Sequence, residues 1–295
     1  MALEAYIIHI LIIIGIYVIL ALSLDLAIGY TGLLNIGHVA FYAVGAYTSA
    51  LLALNFGTPF LISFLAGGII AGIFSLVVAI PALKLRGDYL AVATLGLAII
   101  GENILKNWTS LTRGPLGLPG IPKPTIFGIT LTGITYLALV IVVGVVTYYL
   151  LRYLIKTPFG RILQAIREDE LVAKSLGKNV TKYKTQALLI SAFFAGLAGS
   201  LYAHYITFID PTSFSILESV LIISMIVVGG IATLKGAIIG AIILILLPEA
   251  LRFLPLPSSM IGALRQIIYA VLLVVLLIKR PQGLLGKKTE GVVTT

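Results

Sequence analysis

Runs of about twenty residues with almost no charge recur along this chain, and each is long enough to cross roughly 30 Å of hydrocarbon as a helix. Nine can be bounded: Tyr6 to Leu24, Leu26 to Leu54, Phe60 to Leu83, Tyr89 to Trp108, Ile134 to Leu154, Gln186 to Ile206, Phe214 to Ile231, Gly236 to Phe253 and Met260 to Ile278. A soluble chain of 295 residues covers its surface with about a quarter charged residues, whereas this one has 11%. A β-barrel would show short alternating segments in place of continuous Ile, Leu, Val, Ala and Gly. The expected fold is an all-α integral membrane protein: a polytopic bundle of about 8–10 transmembrane helices in a single unit spanning residues 1–295. A Gly/Pro-rich loop at 109–125, a charged stretch at 155–184 and a basic tail at 279–295 interrupt the apolar pattern. No basic leader precedes Glu4 and the first run, so that run is expected to stay as a span.

The formal charge of +9 is unevenly placed. With alternating spans, 15 of the 20 basic residues fall on one side: Lys84, Arg86, the nine from Arg152 to Lys235 and the four of the tail; Lys106, Arg113, Lys123, Arg252 and Arg265 fall on the other. Basic loops stay cytoplasmic. The N-terminus is therefore expected outside and the C-terminus inside, and the charge reads as topology, with no nucleic-acid partner. No cysteine is available for disulfides or thiolate metal sites, and three scattered histidines make a poor metal cage. No nucleophile–base cluster supports an enzyme. Small residues four apart, at Gly68/Gly72, Gly236/Gly240 and Ala192/Gly196/Ser200, mark faces where helices approach closely.

Residues Pro158 to Leu176 have the pattern of an amphipathic helix outside the hydrocarbon. Seven basic and three acidic side chains lie between Lys156 and Lys184, and each costs about 2.5–3.5 kcal/mol near a span centre. Thr157 is the expected N-cap, Pro158 the first helical residue, and Gly177 follows the end. Ile162, Ile166, Ala173 and Leu176 share one face. That face packs on the chain's own helix ends or on lipid, or it docks in a groove of a soluble partner. No G-x-x-x-x-G-K-[ST] loop is present, so any nucleotide chemistry belongs to another chain.

Among polar groups at membrane depth, Asp25 ends the first span, where an interfacial or capping role competes with a role in the pathway. Glu102 can pair with Lys106 and Glu249 with Arg252. Glu218 has no sequence-local partner, and His9 and His204 suit an aromatic belt at span ends. The run Gly29-Tyr30-Thr31-Gly32-Leu33-Leu34-Asn35-Ile36-Gly37-His38 is the place for a broken helix, since each glycine costs about 1 kcal/mol against alanine. Irregular backbone survives at that depth only where it lines a cavity or is buried in protein. Free N–H groups near Ile36 could face a carboxylate, or the glycines could simply allow tight helix contact.

The same run, followed by Ala40-Phe41 and Gly45-Ala46-Tyr47, resembles the opening of LivM-type permeases of branched-chain amino acid ABC importers. So do Leu85-Arg86-Gly87-Asp88-Tyr89, Asn107-Trp108-Thr109-Ser110, Gly114 to Ile121, Gly160-Arg161, Ala165 to Glu170, Ala195 to Gly199 and Val228-Gly229-Gly230. Arg113-Gly114-Pro115 departs from the Gly-Gly common in relatives. The resemblance implies a second, LivH-like permease, two cytoplasmic ATPases that hold ATP and Mg, and an extracytoplasmic amino-acid-binding protein, with no cofactor on this chain. It implies alternating access in the cell inner membrane, driven by ATPase closure. The cytoplasmic helix becomes the coupling element through Ile162, Ile166, Arg167, Glu168, Asp169, Ala173, Leu176 and Gly177. The substrate path would involve Gly29, Tyr30, Thr31, Gly32, Asn35, Gly37, His38 and Glu218. Leucine, isoleucine or valine is the implied cargo; urea or short-chain amides, and a stand-alone channel or ion-coupled carrier, are the competing readings.

Overall fold

A computed structural model describes residues 2–82, 85, 88–126, 128–251, 267, 268, 271 and 282–286. Most of the ninth expected span, the basic turn at Lys84 and Arg86, and Arg252 lie outside the described residues. Helix α1 (Ala2–Asp25) continues through a wide π turn, Leu26–Tyr30. Then come α2 (His38–Phe56), α3 (Phe60–Ala82), α4 (Asp88–Asn107), a single turn α5 (Thr109–Thr112) and α6 (Ile134–Lys156). The charged stretch holds α7 (Pro158–Glu168) and α8 (Glu170–Ser175), and α9 (Val180–Ile206), α10 (Ile216–Gly229) and α11 (Leu234–Leu251) follow. Six of these are long and apolar enough to cross a membrane, and α10 is a shorter apolar helix.

Helix α9 is the centre of the bundle, packed on α2 and α3 along one side and on α1 along another; α1 in turn packs on α6, α10 and α11. Most of α9's inward face is small: Ala192, Ala195, Ala198, Ser191 and Ser200 are fully buried. Side chains this small let backbones touch, which drives association where lipid offers no hydrophobic gain. A methyl group on Gly196 would stand 2.6 Å from the carbonyl oxygen of Gly67 and from Cβ of Ala71 on α3. On its other side, a methyl on Gly45 of α2 would strike the Gly196 backbone.

Three sequence expectations shift. Residues 26–30 belong to the first helix and not the second, so the break falls at 31–37. The wide turn holds because Gly32 N–H bonds Ile28 O at 3.1 Å, Leu33 N–H bonds Ala27 O at 2.9 Å, and Thr31 Oγ1 donates to Leu26 O at 2.9 Å. The amphipathic helix from Pro158 to Leu176 is two helices, because Asp169 leaves the helical region (φ −154°, ψ 109°) and its Oδ1 accepts from the N–H groups of Leu171 and Val172. An aspartate that caps a new helix cannot sit inside the old one. The expected seventh span starts two residues late, after a 3₁₀ turn at Pro211–Phe214, and ends at Gly229.

The 109–125 loop is ordered by short strands: β1 (Leu118–Pro119) pairs antiparallel with β4 (Phe208–Ile209), and β2 (Thr125–Ile126) with β3 (Ile129–Thr130). His204 fastens it. Its Nδ1 bonds the Pro122 carbonyl at 2.8 Å, so that nitrogen carries the proton and Nε2 accepts from Ser49 at 2.9 Å. Ser200 donates to Ser49 at 2.6 Å, completing a one-directional chain. At 1% exposure His204 is a core residue, which corrects the expected belt role. His9 does stack on Tyr205, with ring centres 5.6 Å apart. Glu102 and Lys106 pair at 2.7 Å as expected; Glu249 accepts from Tyr6, and its expected pairing with Arg252 lies outside the described residues.

Candidate functional site

Segment 31–37 is irregular, left-handed at Gly32 and turned at 36–37, and over 31–35 its burial alternates: Thr31, Leu33 and Asn35 face inward while Gly32 and Leu34 are exposed. Thr94 of α4 pins it: Oγ1 accepts from Ile36 N–H at 3.0 Å and lies 3.3 Å from Leu34 O. The Ile36 N–H is therefore occupied and unavailable to a cargo carboxylate, which corrects that expectation. Gly37 sits against the Thr94 carbonyl so closely that a side chain would collide with it.

Beyond the break, His38 points back to α1, its Nε2 2.9 Å from Ser23 Oγ. Ser23 Oγ donates to Leu20 O at 2.8 Å, so the imidazole must donate through Nε2, leaving Nδ1 a buried acceptor with no partner. Ser191 of α9 donates to Ser23 O at 2.6 Å, so one serine joins three helices. Asn35 is 2% exposed and neither atom of its amide is hydrogen-bonded. Buried polar groups are normally paired, so Nδ1 of His38 and the Asn35 amide are the unsatisfied groups of the break. Glu218 lies elsewhere, on the first turn of α10, accepting from Tyr17 of α1. Near it the hydroxyls of Tyr42 and Ser219 are buried without partners, and Phe214 packs edge-on against Tyr42 at 5.1 Å.

The charged loop engages the break directly. Arg167, in the last turn of α7, donates from Nη1 to the Gly29 carbonyl at 2.5 Å. Its stem lies over Gly32, where a methyl would stand 3.3 Å from Cγ. Gly32 has φ +72°, a left-handed conformation that glycine adopts without cost. The structure thus brings Gly29 and Gly32 to Arg167; Tyr30 packs half-buried beside them.

Of the amphipathic stripe, Ile166 and Ala173 are covered by the chain's own Val180 and Tyr183, with Ile162 packed alongside. Lys184 reaches back to Glu170 at 2.5 Å, fixing α8 to α9. The uncovered apolar side chains are Leu171, Val172 and Leu176, at 60%, 53% and 71% exposure. Leu171 and Val172 stood outside the expected stripe because α8 is rotated relative to α7 by the break at Asp169. Glu168 is exposed. Gly177 ends α8 at φ +75°, with Gly177 N–H on Lys174 O and Lys178 N–H on Ala173 O, the paired bonds of a Schellman close.

Two contacts escaped the sequence. Asp25 is fully buried and Oδ1 accepts from Ala232 N–H at 2.8 Å, across 207 residues. Residues 282–286, within the tail, bond the same turn from beneath: Leu284 N–H to Val228 O and Leu285 N–H to Gly229 O, both 2.9 Å. Neither contact has a local signature. The clue available was that Asp25 stands four residues before Gly29, one helical turn, in a span otherwise free of charge. Among the described residues no group of three His, Cys, Asp or Glu could hold a metal.

Residues 6–277 match the family model described as "Branched-chain amino acid transport system / permease component". The high-affinity branched-chain amino acid transport system permease protein LivM of Escherichia coli is 37% identical and that of Salmonella typhimurium 36%, each over 92% of this chain and 68% of the relative. The LivH permease protein of Salmonella typhimurium is 26% identical over 92% of this chain and 91% of its own length. No solved structure matches.

Proposed function

The chain belongs to the branched-chain amino acid transport system permease family, and from that premise we propose that it is the membrane-spanning permease of an ATP-driven importer of leucine, isoleucine and valine. Cytoplasmic ATPases of separate chains would grip the loop at 158–177. A second, LivH-like permease would complete the route, and an extracytoplasmic binding protein would deliver cargo. Relatives named for both LivM and LivH cover nearly all of this chain, which supports a pair of homologous permeases sharing the path. The loop side of the bundle is cytoplasmic in this reading, on the strength of its basic residues.

The observation that carries the mechanism is the hydrogen bond from Arg167 to Gly29. It ties the only charged helix pair among the described residues to the end of α1, one residue pair before the irregular segment. A push on α8 through Leu171, Val172 and Leu176 reaches the break through Arg167 without crossing the bundle. Segment 31–37, with Asn35 and His38 unsatisfied, is the stretch of the path that changes shape. Weakly held backbone and small side chains suit a cargo that has to be released. Glu218, beside Tyr17, is assigned to the same route.

The test is uptake by the complete transporter in proteoliposomes. Branched-chain amino acids should accumulate only with ATP and the ATPase chains present, and urea or short-chain amides should not compete. Replacing Leu171, Val172 and Leu176 by serine should lower ATPase association by about tenfold or more, the loss expected when an apolar anchor of this size is removed. Uptake that continues with the ATPase chains left out would make the chain a channel or carrier and overturn the assignment.

A further inference from the structure

Asp25 has no part in the mechanism above, yet it is the one carboxylate among the described residues with no exposed surface. A buried carboxylate is costly unless something compensates it. Three things surround it. Its Oδ1 holds the N–H of Ala232, the middle of the α10–α11 turn. Gly29 lies one turn on, so close that a methyl there would strike Oδ1 and stand 2.6 Å from Ala232 N. On the carbonyl of that same Gly29 sits the guanidinium of Arg167, so one residue's backbone separates the cation from the carboxylate. Oδ2 has no hydrogen-bond partner.

The turn itself is under load. Ala232 has φ +62°, which costs an L-residue roughly 1–2 kcal/mol. Gly230 has φ +116°, and Gly283 of the tail packs against it. Two grips keep this turn in place: the Asp25 carboxylate above, and the backbone bonds from Leu284 and Leu285 below. Only the first faces a charge on the loop.

We propose that Asp25 is a positioning residue that latches the α10–α11 turn to the end of α1, and that Arg167 sets the strength of the latch through Gly29. This extends the reading of the loop as a lever and rests on it. When Arg167 is drawn outward with α7, the buried carboxylate loses its countercharge and takes up a proton, and the neutral acid accepts more weakly from Ala232 N–H than the charged one. Helices α10 and α11 are then free to move against α1. Hydrolysis would otherwise proceed on the partner chains without the bundle opening, so the quantity controlled is transport per ATP.

Asp25→Asn separates this role from plain packing. It keeps the volume and an oxygen to accept from Ala232 N–H, removes the charge that Arg167 addresses, and puts an amide NH2 in place of the unpaired Oδ2. Arg167 is itself partly exposed and rehydrates. In proteoliposomes holding the complete transporter, D25N should assemble in normal amounts and hydrolyse ATP. Leucine imported per ATP should fall about tenfold, within the usual range of coupling energies. Arg167→Gln should do the same, and the double variant should be no worse than either single, because one interaction is lost in all three. D25N with the wild-type ratio, or a double variant whose losses multiply, overturns the latch. If D25N fails to assemble, packing is its role and the proposal falls, unless D25N/R167Q restores assembly while import per ATP stays low. A wild-type complex that imports without ATP would sink the transport reading instead, a result distinct from all of these.

Discussion

At the scale of single residues, the most exposed wager is Thr94. One hydroxyl, on a helix 58 residues away, satisfies the Ile36 N–H in a segment with no helix to do so. Replacing it by valine keeps the shape and orphans that donor, and a buried unpaired N–H costs about 1–3 kcal/mol. Thr94→Val should therefore lower the melting temperature of the purified protein by several degrees, and Thr94→Ser should recover it. Equal melting of the valine and serine variants would mean that water, and not Thr94, satisfies the break. The glycines of 29–37 announced that the helix would fail there; the partner that makes the failure tolerable was illegible, because a threonine in α4 looks like any other apolar-tolerant position. His204 shows the same limit. Its place near a span end was readable, but the one-directional chain from Ser200 to Pro122 depends on three elements meeting.

At the scale of elements, hydropathy located α3, α4 and α6 to within two residues, because a span must be long and uncharged whatever it packs against; α9 begins six residues before the expected Gln186, since its first turns at Lys182 and Lys184 are charged. Spacing also picked the faces that touch. The row Ala192/Gly196/Ser200 lies against α2 and α3, where Gly196 leaves no room for a side chain. Gly196→Leu forces three backbones apart, and overpacking of this kind costs about 1–3 kcal/mol or more. It should sharply reduce recovery of monodisperse protein, with Gly196→Ala between it and the wild type; equal recovery of all three would show that α9 is not the centre of the bundle. The amphipathic loop was read less well. Helical periodicity correctly made one stripe of Ile162, Ile166 and Ala173, but it carries no information on what covers a stripe. The cover is the start of α9, and the surface left for a partner is the one that Asp169 created by stopping α7.

At the scale of the whole molecule, charge argues for one of two opposite insertions. Nine basic residues lie from Arg152 to Lys235 against three from Lys106 to Lys123, and the positive-inside bias acts on short loops near span ends such as these. The fold adds a second constraint: α6 and α9 run in opposite senses between the 109–133 region and the 157–179 loop, so the two regions sit at opposite ends of the bundle whichever way it is inserted. Because the chain contains no cysteine, a single introduced thiol reports its own side. Thr132 and Ser175 are both exposed and lie at those two ends. With the N-terminus outside, Thr132→Cys should react with a membrane-impermeant maleimide in intact cells, and Ser175→Cys only in inverted vesicles. The opposite pattern would place the α7–α8 loop away from ATP, and the lever, the latch and the importer mechanism would fail together, since each needs that loop where ATPases can reach it.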